Sequence, residues 1–181
     1  MNIIETKLKG CFIIEPKVFG DSRGYFFESF NQNTFNDSLK LKVNFVQDNE
    51  SFSSKGVIRG LHYQKGEFAQ AKLVRVVKGC VLDVVVDIRE NSKTFGEHFS
   101  IELSEDNKKQ LFIPKGFAHG FLVLSDTAIF SYKCDNYYNK ASEGGIIYND
   151  KTLNIDWNFK DVDLIISEKD TLFPNFNDAK L

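Results

Sequence analysis

Three residues, His62, Lys72 and Tyr132, have side chains that together could move a proton at a carbon atom next to a carbonyl group. A histidine titrates near neutral pH, so His62 could remove such a proton as a general base. The ammonium group of Lys72 could stabilise the enolate oxygen that then develops, and the phenol of Tyr132 could return a proton from the opposite side. Removal on one face and return on the other inverts a stereocentre. Because the ketone itself acidifies the proton, this chemistry needs no organic cofactor.

The positions of these residues in predicted strands are compatible with a shared cleft. In a strand, His62 lies on the same face as Gly60, whose missing side chain would leave room for a ligand. Lys72 and Tyr132 each lie on the same strand face as an apolar residue two positions away. Taken singly, each residue also fits a simpler interpretation: a hydrogen-bonded core histidine, a lysine at the surface end of a strand, and a core tyrosine.

His119 raises the question of a metal ion, because it ends a Pro-x-Gly-x-x-His pattern that resembles the second motif of cupin barrels. Metal-binding cupins take their other ligands from a His-x-His motif followed by a glutamate. This sequence lacks that motif, since His62 is followed by Tyr63 and Gln64. A divalent ion would then be short of its usual three or four protein ligands, so we predict no metal site. The third histidine, His98, follows Gly96 and Glu97, and we interpret it as solvent-facing or structural.

The composition limits the partners and the compartment. The chain has 181 residues, with 23 Lys and Arg against 25 Asp and Glu, a net charge of −2. This size predicts one domain over 1–181, and this balance argues against binding of nucleic acid or of a membrane surface. Three cysteines form no disulfide framework, and the first ten residues do not resemble a signal peptide. We therefore expect a cytoplasmic protein with free thiols.

The elements that must position these side chains are mainly strands. Short apolar or alternating runs, separated by turn residues, predict an all-β sandwich or barrel. The predicted strands are 11–15, 25–30, 43–47, 57–63, 71–78, 81–88, 98–103, 110–113, 120–124, 127–134 and 145–148, with a hairpin at Lys78-Gly79-Cys80. One helix is predicted near 33–39, with Asn31 or Asn33 as its N-cap, and a second short helix near Ser167.

Eight motifs, in this order and at this spacing, make the sequence similar to the dTDP-4-dehydrorhamnose 3,5-epimerase family. They occupy residues 19–28, 45–49, 59–64, 70–76, 83–89, 114–121, 132–138 and 167–170. The resemblance covers nearly the whole chain and implies a cupin-type double-stranded β-helix, or jelly-roll barrel, with a few short helices. It also implies inversion of C3 and C5 in a dTDP-linked 4-keto sugar, without a cofactor.

The resemblance further implies a role for individual residues. His62 matches the general base, Asp170 its carboxylate partner, Tyr132 the general acid, and Lys72 the residue beside the C4 oxygen. Tyr138 matches the aromatic residue that stacks on the thymine ring. The other matched positions are substrate-contacting ones: Arg23, Glu28, Gln47, Asn49, Arg59, His119, Glu143 and Lys169. Of these, Arg59 and Arg23 match positions near the diphosphate.

The resemblance also implies a homodimer in which N-terminal segments are exchanged, so that some nucleotide contacts come from the partner chain. Two other functions stay open at this point. One is a relative that inverts only C3 or C5 of a similar nucleotide sugar, and the other is a binding module without catalysis.

One feature of the sequence does not fit a regular strand. Arg59 and His62 have opposite parity, yet the family places both at the site. A bulge, a strong twist or the end of the strand must bring them to one face.

Overall fold

The computed structural model describes residues 1–159 and 163–181, and over these residues the chain is mainly β-sheet. Fourteen strands and two α-helices are formed there: β1 (Asn2–Glu5), β2 (Phe12–Glu15), β3 (Phe19–Asp21), β4 (Gly24–Phe26), α1 (Gln32–Leu39), β5 (Gln47–Ser54), β6 (Val57–Gln64), β7 (Lys72–Lys78), β8 (Cys80–Asp87), β9 (His98–Ser104), β10 (Gln110–Ile113), β11 (Phe117–Val123), β12 (Thr127–Cys134), β13 (Glu143–Gly145), β14 (Ile165–Ile166) and α2 (Glu168–Thr171). Neither helix is long and apolar enough to cross a membrane.

Two large sheets face each other. The first sheet has the strand order β1-β2-β10-β7-β12-β5, and the second has the order β13-β6-β11-β8-β9, with β14 beside β6. All neighbours pair antiparallel except β14, which runs parallel to β6. From β5 to β8 and from β9 to β12, consecutive strands alternate between the two sheets. This is the jelly-roll arrangement, so the predicted fold class is confirmed.

The alternation of side chains along the strands builds a core between the two sheets. On β7, Val74 and Val76 point inward, whereas Leu73 points to the outer face. The outer face of the first sheet is covered by α1, which packs Phe35 and Leu39 against it. The outer face of the second sheet is covered by the segments that follow β13, with a fully buried Trp157 among their contacts. The predicted helix is confirmed, and the Asn31 side chain caps it by accepting from the N–H groups of residues 33 and 34.

Several predicted strands differ from the structure. The strand predicted at 43–47 is wrong, because the actual strand β5 begins at Gln47 and continues to Ser54. Its inward row is polar and borders a cleft, so it carries no hydrophobic alternation. The strand predicted at 145–148 is misplaced, because the observed strand β13 spans Glu143–Gly145 and ends at the residue where the predicted strand begins. The run predicted at 25–30 stops at Phe26.

A β-bulge resolves the conflict between Arg59 and His62. Arg59 pairs with Phe121 and His62 with His119, so three steps along β6 match two steps along β11. The extra residue brings Arg59 and His62 to the same face. The bulge contains Gly60, with φ +119°, and a Cβ there would lie 2.6 Å from the Cα of Gly120. The expectation that Gly60 leaves room for a ligand is therefore wrong: its missing side chain admits the backbone of the neighbouring strand.

Candidate functional site

A cleft of about 290 Å³ opens between the two sheets. That is the lower end of the usual size for small-molecule sites. Its walls contain His62 from the second sheet, and Lys72 and Tyr132 from the first sheet. The complete lining is Gln47, Asn49, His62, Tyr63, Gln64, Gln70, Lys72, Tyr132, Tyr138 and Glu143. The cleft thus brings together seven of the residues proposed from the sequence, namely Gln47, Asn49, His62, Lys72, Tyr132, Tyr138 and Glu143.

His62 is held by Asp170. Its Nε2 lies 2.8 Å from Oδ1 of Asp170, and the Phe173 ring packs edge-on against the imidazole at 5.4 Å. The His62 side chain keeps 32% of its surface exposed, while that of Asp170 keeps only 4%. A carboxylate accepts hydrogen bonds, so Nε2 is the ring nitrogen that donates to Asp170. This contact fixes the orientation of the imidazole, as a general base requires.

Asp170 is itself fixed from three sides. It belongs to the short helix α2, whose N-cap Ser167 accepts a hydrogen bond from the Asp170 N–H. The second carboxylate oxygen accepts the N–H of Gly60 in the bulge, at 3.0 Å. Burial alone would raise the pKa of Asp170, but the hydrogen bonds from His62 and Gly60 outweigh it and lower the pKa.

Lys72 lies opposite, on the inward row of β7. Its neighbour across the strand pair is Cys134, and its Nζ lies 5.6 Å from the centre of the Tyr132 ring. Burial lowers its pKa, while Cys134, Asp83 and Glu143 act in the other direction. Among the described residues, no carboxylate is within ion-pair distance of Lys72.

Tyr132 shares this wall of the cleft. Burial raises the pKa of its phenol, and the charge of Arg59 only partly opposes that effect. The hydroxyl therefore stays protonated at neutral pH and is able to give up a proton to a strong base such as a carbanion.

A polar network closes the rim of the cleft. The Tyr138 hydroxyl donates to Oε2 of Glu143 at 3.0 Å, and Lys169 forms an ion pair with the other oxygen of Glu143. Burial would raise the pKa of Glu143, but Lys169 and Tyr138 lower it below its usual range. Lys169 also lies over the Phe173 ring, 5.9 Å from its centre. The rim is thus linked to the ring that packs on His62.

Six of the predicted site residues do not line this cleft. Two of them, Asp170 and Lys169, bind residues of its lining through their side chains, and the side chains of the other four have different partners. Arg23 is on the exposed hairpin of β3 and β4, where it pairs with Asp21. Glu28 accepts a hydrogen bond from the Asn31 side chain at 3.2 Å. Arg59, on the same face as His62, donates to Ser53 at 3.1 Å. His119 lies deeper between the sheets, with its Nε2 2.8 Å from Oδ2 of Asp83.

The structure adds residues that the sequence reasoning did not assign. Gln64 and Gln70 line the cleft, and Phe173 positions the imidazole. Gln64 could have been found, because it has the strand parity of His62. Phe173 gave no such signal, since its slot depends on Gly145 in another strand: a Cβ at Gly145 would lie 2.4 Å from the Phe173 ring.

In the part of the chain that the structure describes, no group of three or more His, Cys, Asp or Glu side chains could hold a metal ion. The prediction that the site uses no metal stays a prediction.

Comparison with known proteins gives one consistent result. A sequence profile described as dTDP-4-dehydrorhamnose 3,5-epimerase matches residues 5–178. The enzyme of that name from Escherichia coli is 58% identical over 94% of this chain and 91% of its own length. A crystal structure of such an enzyme from Elizabethkingia anophelis superposes with a TM-score of 0.94, at 57% identity, covering 98% of this chain and 97% of that one. The epimerase from Legionella pneumophila, in complex with dTDP-4-keto-L-rhamnose, also has a TM-score of 0.94, at 50% identity over 97% of this chain and 93% of that one.

The lowered pKa of Asp170 predicts a pH-dependent contribution to stability. A depressed pKa means that the ionised carboxylate stabilises the folded chain above the unfolded pKa of about 3.9, and that this contribution is lost as the pH falls through the folded value. We expect Asp170→Asn to lower the free energy of unfolding at neutral pH, and the difference from the unaltered chain to shrink below about pH 4. Urea unfolding from pH 7 to pH 3 measures this.

The control is Asp37→Asn, because Asp37 is exposed on α1. It should change the free energy of unfolding little at any pH. An Asp170→Asn difference that stays constant over the whole pH range would contradict the assignment.

Proposed function

The chain belongs to the dTDP-4-dehydrorhamnose 3,5-epimerase family, and from this we propose how its cleft performs the reaction. The enzyme is an isomerase that inverts C3 and C5 of dTDP-4-dehydro-6-deoxy-D-glucose and gives dTDP-4-dehydro-β-L-rhamnose. In our proposal, His62 is the base, Tyr132 the acid, Lys72 the partner of the C4 oxygen, and Asp170 the residue that orients the base.

The observation that carries this proposal is the placement of base and acid on opposite walls. His62 belongs to β6 in the second sheet, whereas Tyr132 belongs to β12 in the first sheet. A sugar bound between the sheets therefore presents one ring face to the imidazole and the other to the phenol. Inversion requires this separation, because a proton returned to the face it left would restore the original configuration.

The chemistry at each centre has two steps. His62 removes the proton from the carbon next to the C4 carbonyl, and the electrons move into an enolate. The Lys72 ammonium stabilises the charge on the C4 oxygen, in a partly buried place where such an interaction is stronger than in water. Tyr132 then protonates the carbon from the other face. C3 and C5 both flank the carbonyl, so one set of groups serves both centres.

Substrate binding uses the rim of the cleft and its polar strand. We propose that Tyr138 stacks on the thymine ring, which suits a flat aromatic face that is 53% exposed. Gln47 and Asn49, on the inward row of β5, offer amides to the substrate. Arg59 and Arg23 would contact the diphosphate, for which guanidinium groups are suited.

Arg23 leads to the proposal of a homodimer with exchanged N-terminal segments. Among the described residues, the hairpin of β3 and β4 pairs with no strand of either large sheet, and the Arg23 side chain is 87% exposed. The hairpin also exposes Phe19, Tyr25 and Phe26, at 53%, 60% and 70%. Exposed apolar rings of this kind mark a protein–protein contact. We propose that the hairpin packs on a second copy and brings Arg23 to the partner's cleft.

We also place the protein in the cytoplasm. Cys11, Cys80 and Cys134 are free thiols, and two of them are buried. Free thiols are typical of a reducing compartment.

The first test is deuterium uptake from D₂O, followed by NMR of the substrate. With the unaltered enzyme, we expect deuterium and inversion at both C3 and C5, which also counts the inverted centres. His62→Asn should abolish uptake at both positions, because one base serves both. His98→Asn is the matched control and should keep full activity, since His98 lies outside the cleft. Exchange retained at either carbon in His62→Asn would refute a single shared base.

A second test separates the acid from the base. Tyr132→Phe removes the proton donor and leaves His62 in place, so we expect inversion to fall more than deuterium exchange, by on the order of 10²-fold or more. Tyr137→Phe, at a tyrosine that is 64% exposed and outside the cleft, is the control. Equal loss of exchange and inversion in Tyr132→Phe would indicate a structural tyrosine.

The third test asks whether Arg23 acts on the partner's cleft. Arg23→Ala and His62→Asn should each be inactive or nearly so. Mixed dimers of the two variants, made by coexpression with different affinity tags, should regain activity, because one cleft then has both His62 and the partner's intact arginine. Mixed dimers that stay inactive would contradict the exchange.

A further inference from the structure

Asp83 is a buried carboxylate that folding alone does not explain. It lies on β8 with no exposed surface, on the same inward row as Val81 and Val85. Its Oδ2 meets Nε2 of His119 at 2.8 Å, but its Oδ1 has no hydrogen-bond partner among the described residues. An unsatisfied oxygen of a charged group costs stability, so its presence in a core calls for another explanation.

A second aspartate on the same strand shows what a structural carboxylate looks like here. Asp87 is also without exposed surface. It accepts hydrogen bonds from the backbone and side chain of Arg89 and from the hydroxyls of Ser92 and Thr94. These hydrogen bonds stabilise the loop that follows β8. Within the described chain, Asp83 has one hydrogen-bond partner, His119, which pairs across strands with His62.

The neighbours of Asp83 connect it to the cleft from two directions. His119 is the cross-strand partner of His62 in the pairing of β6 and β11. On the other side, the negative charge of Asp83 acts on Lys72 and opposes the effect of burial on the pKa of that lysine. The titratable groups that act on Lys72 or share the cleft with it are Cys134 and Tyr132 on β12, Asp83 on β8, Glu143 on β13 and His62 on β6.

We propose that Asp83 is a positioning residue for the epimerisation. Through one carboxylate oxygen it holds His119, the cross-strand partner of His62, and it places a buried negative charge on the inward row of the sheet that faces Lys72. The inference rests on the proposed function for the role of Lys72, but the coupling of Asp83 to Lys72 can be measured without turnover. The buried carboxylate of Asp83 destabilises the core. We attribute this cost to the placement of a negative charge near Lys72, which has no ion-pair partner of its own within the described chain.

The test compares Asp83→Asn with Asp87→Asn. The two residues share a strand and complete burial, but only Asp83 contacts His119, the cross-strand partner of His62. The first measurement is the titration of Lys72 by NMR of protein labelled with ¹³C in the lysine side chains, with the Lys72 signal assigned by its loss in Lys72→Arg. In Asp83→Asn we expect the Lys72 titration to move to lower pH, because the opposing negative charge is gone. In Asp87→Asn it should not move.

The second measurement is kcat and KM as a function of pH. For Asp83→Asn, we expect the alkaline limb of kcat to shift to lower pH, with a loss of about 5- to 30-fold at alkaline pH and a smaller loss near pH 6. KM should change less than kcat, because the substrate is still bound by the rim. Thermal unfolding should show Asp83→Asn to be about as stable as the unaltered enzyme, because the substitution removes a buried charge with only one hydrogen-bonded oxygen. Asp87→Asn should be less stable, but its dependence of kcat on pH should stay unchanged.

An unmoved Lys72 titration in folded Asp83→Asn would overturn the inference, and so would a loss of kcat of the same size at every pH. If Asp83→Asn does not fold, Asp83→Leu gives the same comparison, because an apolar side chain of similar size often replaces a buried charge without loss of stability. Deuterium uptake retained in His62→Asn would instead overturn the proposed function, and it would leave the Lys72 titration as the readout of the coupling.

Discussion

The structure of the cleft depends on the carboxylate of Asp170. One oxygen holds the His62 imidazole, and the other accepts the N–H of Gly60 inside the bulge of β6. These residues are 108 and 110 positions from Asp170 in the chain. The same group therefore orients the base, joins the C-terminal helix α2 to the second sheet, and satisfies a backbone donor that the bulge leaves without a strand partner. Loss of any one of these bonds would loosen the other two.

Burial has different consequences for the groups on the opposite wall. It raises the pKa of Tyr132, which keeps that residue protonated as the acid requires. It lowers the pKa of Lys72, which works against the charge that an enolate requires. The cleft must therefore add negative charge near the lysine but not near the tyrosine. Asp83 on β8 and Glu143 on β13 oppose the lowering of the Lys72 pKa, together with its neighbour Cys134 on β12. They can do so because the jelly roll places strands distant in sequence around one cavity.

Much of the fold and of the site could be predicted from the sequence, and the exceptions have physical causes. Apolar alternation identified β7 and β12 and the parity of Lys72 and Tyr132, because these strands border the core. It failed at β5, whose inward row is polar because it lines the cleft. It also failed at the bulge, since a change of register is a property of two paired strands and leaves no periodic signal in either one. The role of Asp83 was hidden for a similar reason: in the sequence it is one polar residue within a Val-rich run.

The overall charge of −2 conceals how unevenly charge is distributed at the site. Lys169 is neutralised by Glu143 at the rim, so this pair adds little net attraction for a doubly charged diphosphate. In the proposed mechanism, Lys72 binds the sugar carbonyl at the other end of the substrate. In the proposed assignment, the positive charge for the diphosphate comes from two guanidinium groups, and Arg59 supplies one of them. Within the described chain, the other assigned guanidinium, Arg23, lies on a separate exposed hairpin and is paired with Asp21. The electrostatic requirement of the ligand thus supports the same proposal as the exposed rings of that hairpin, namely that a second copy of the chain completes the site.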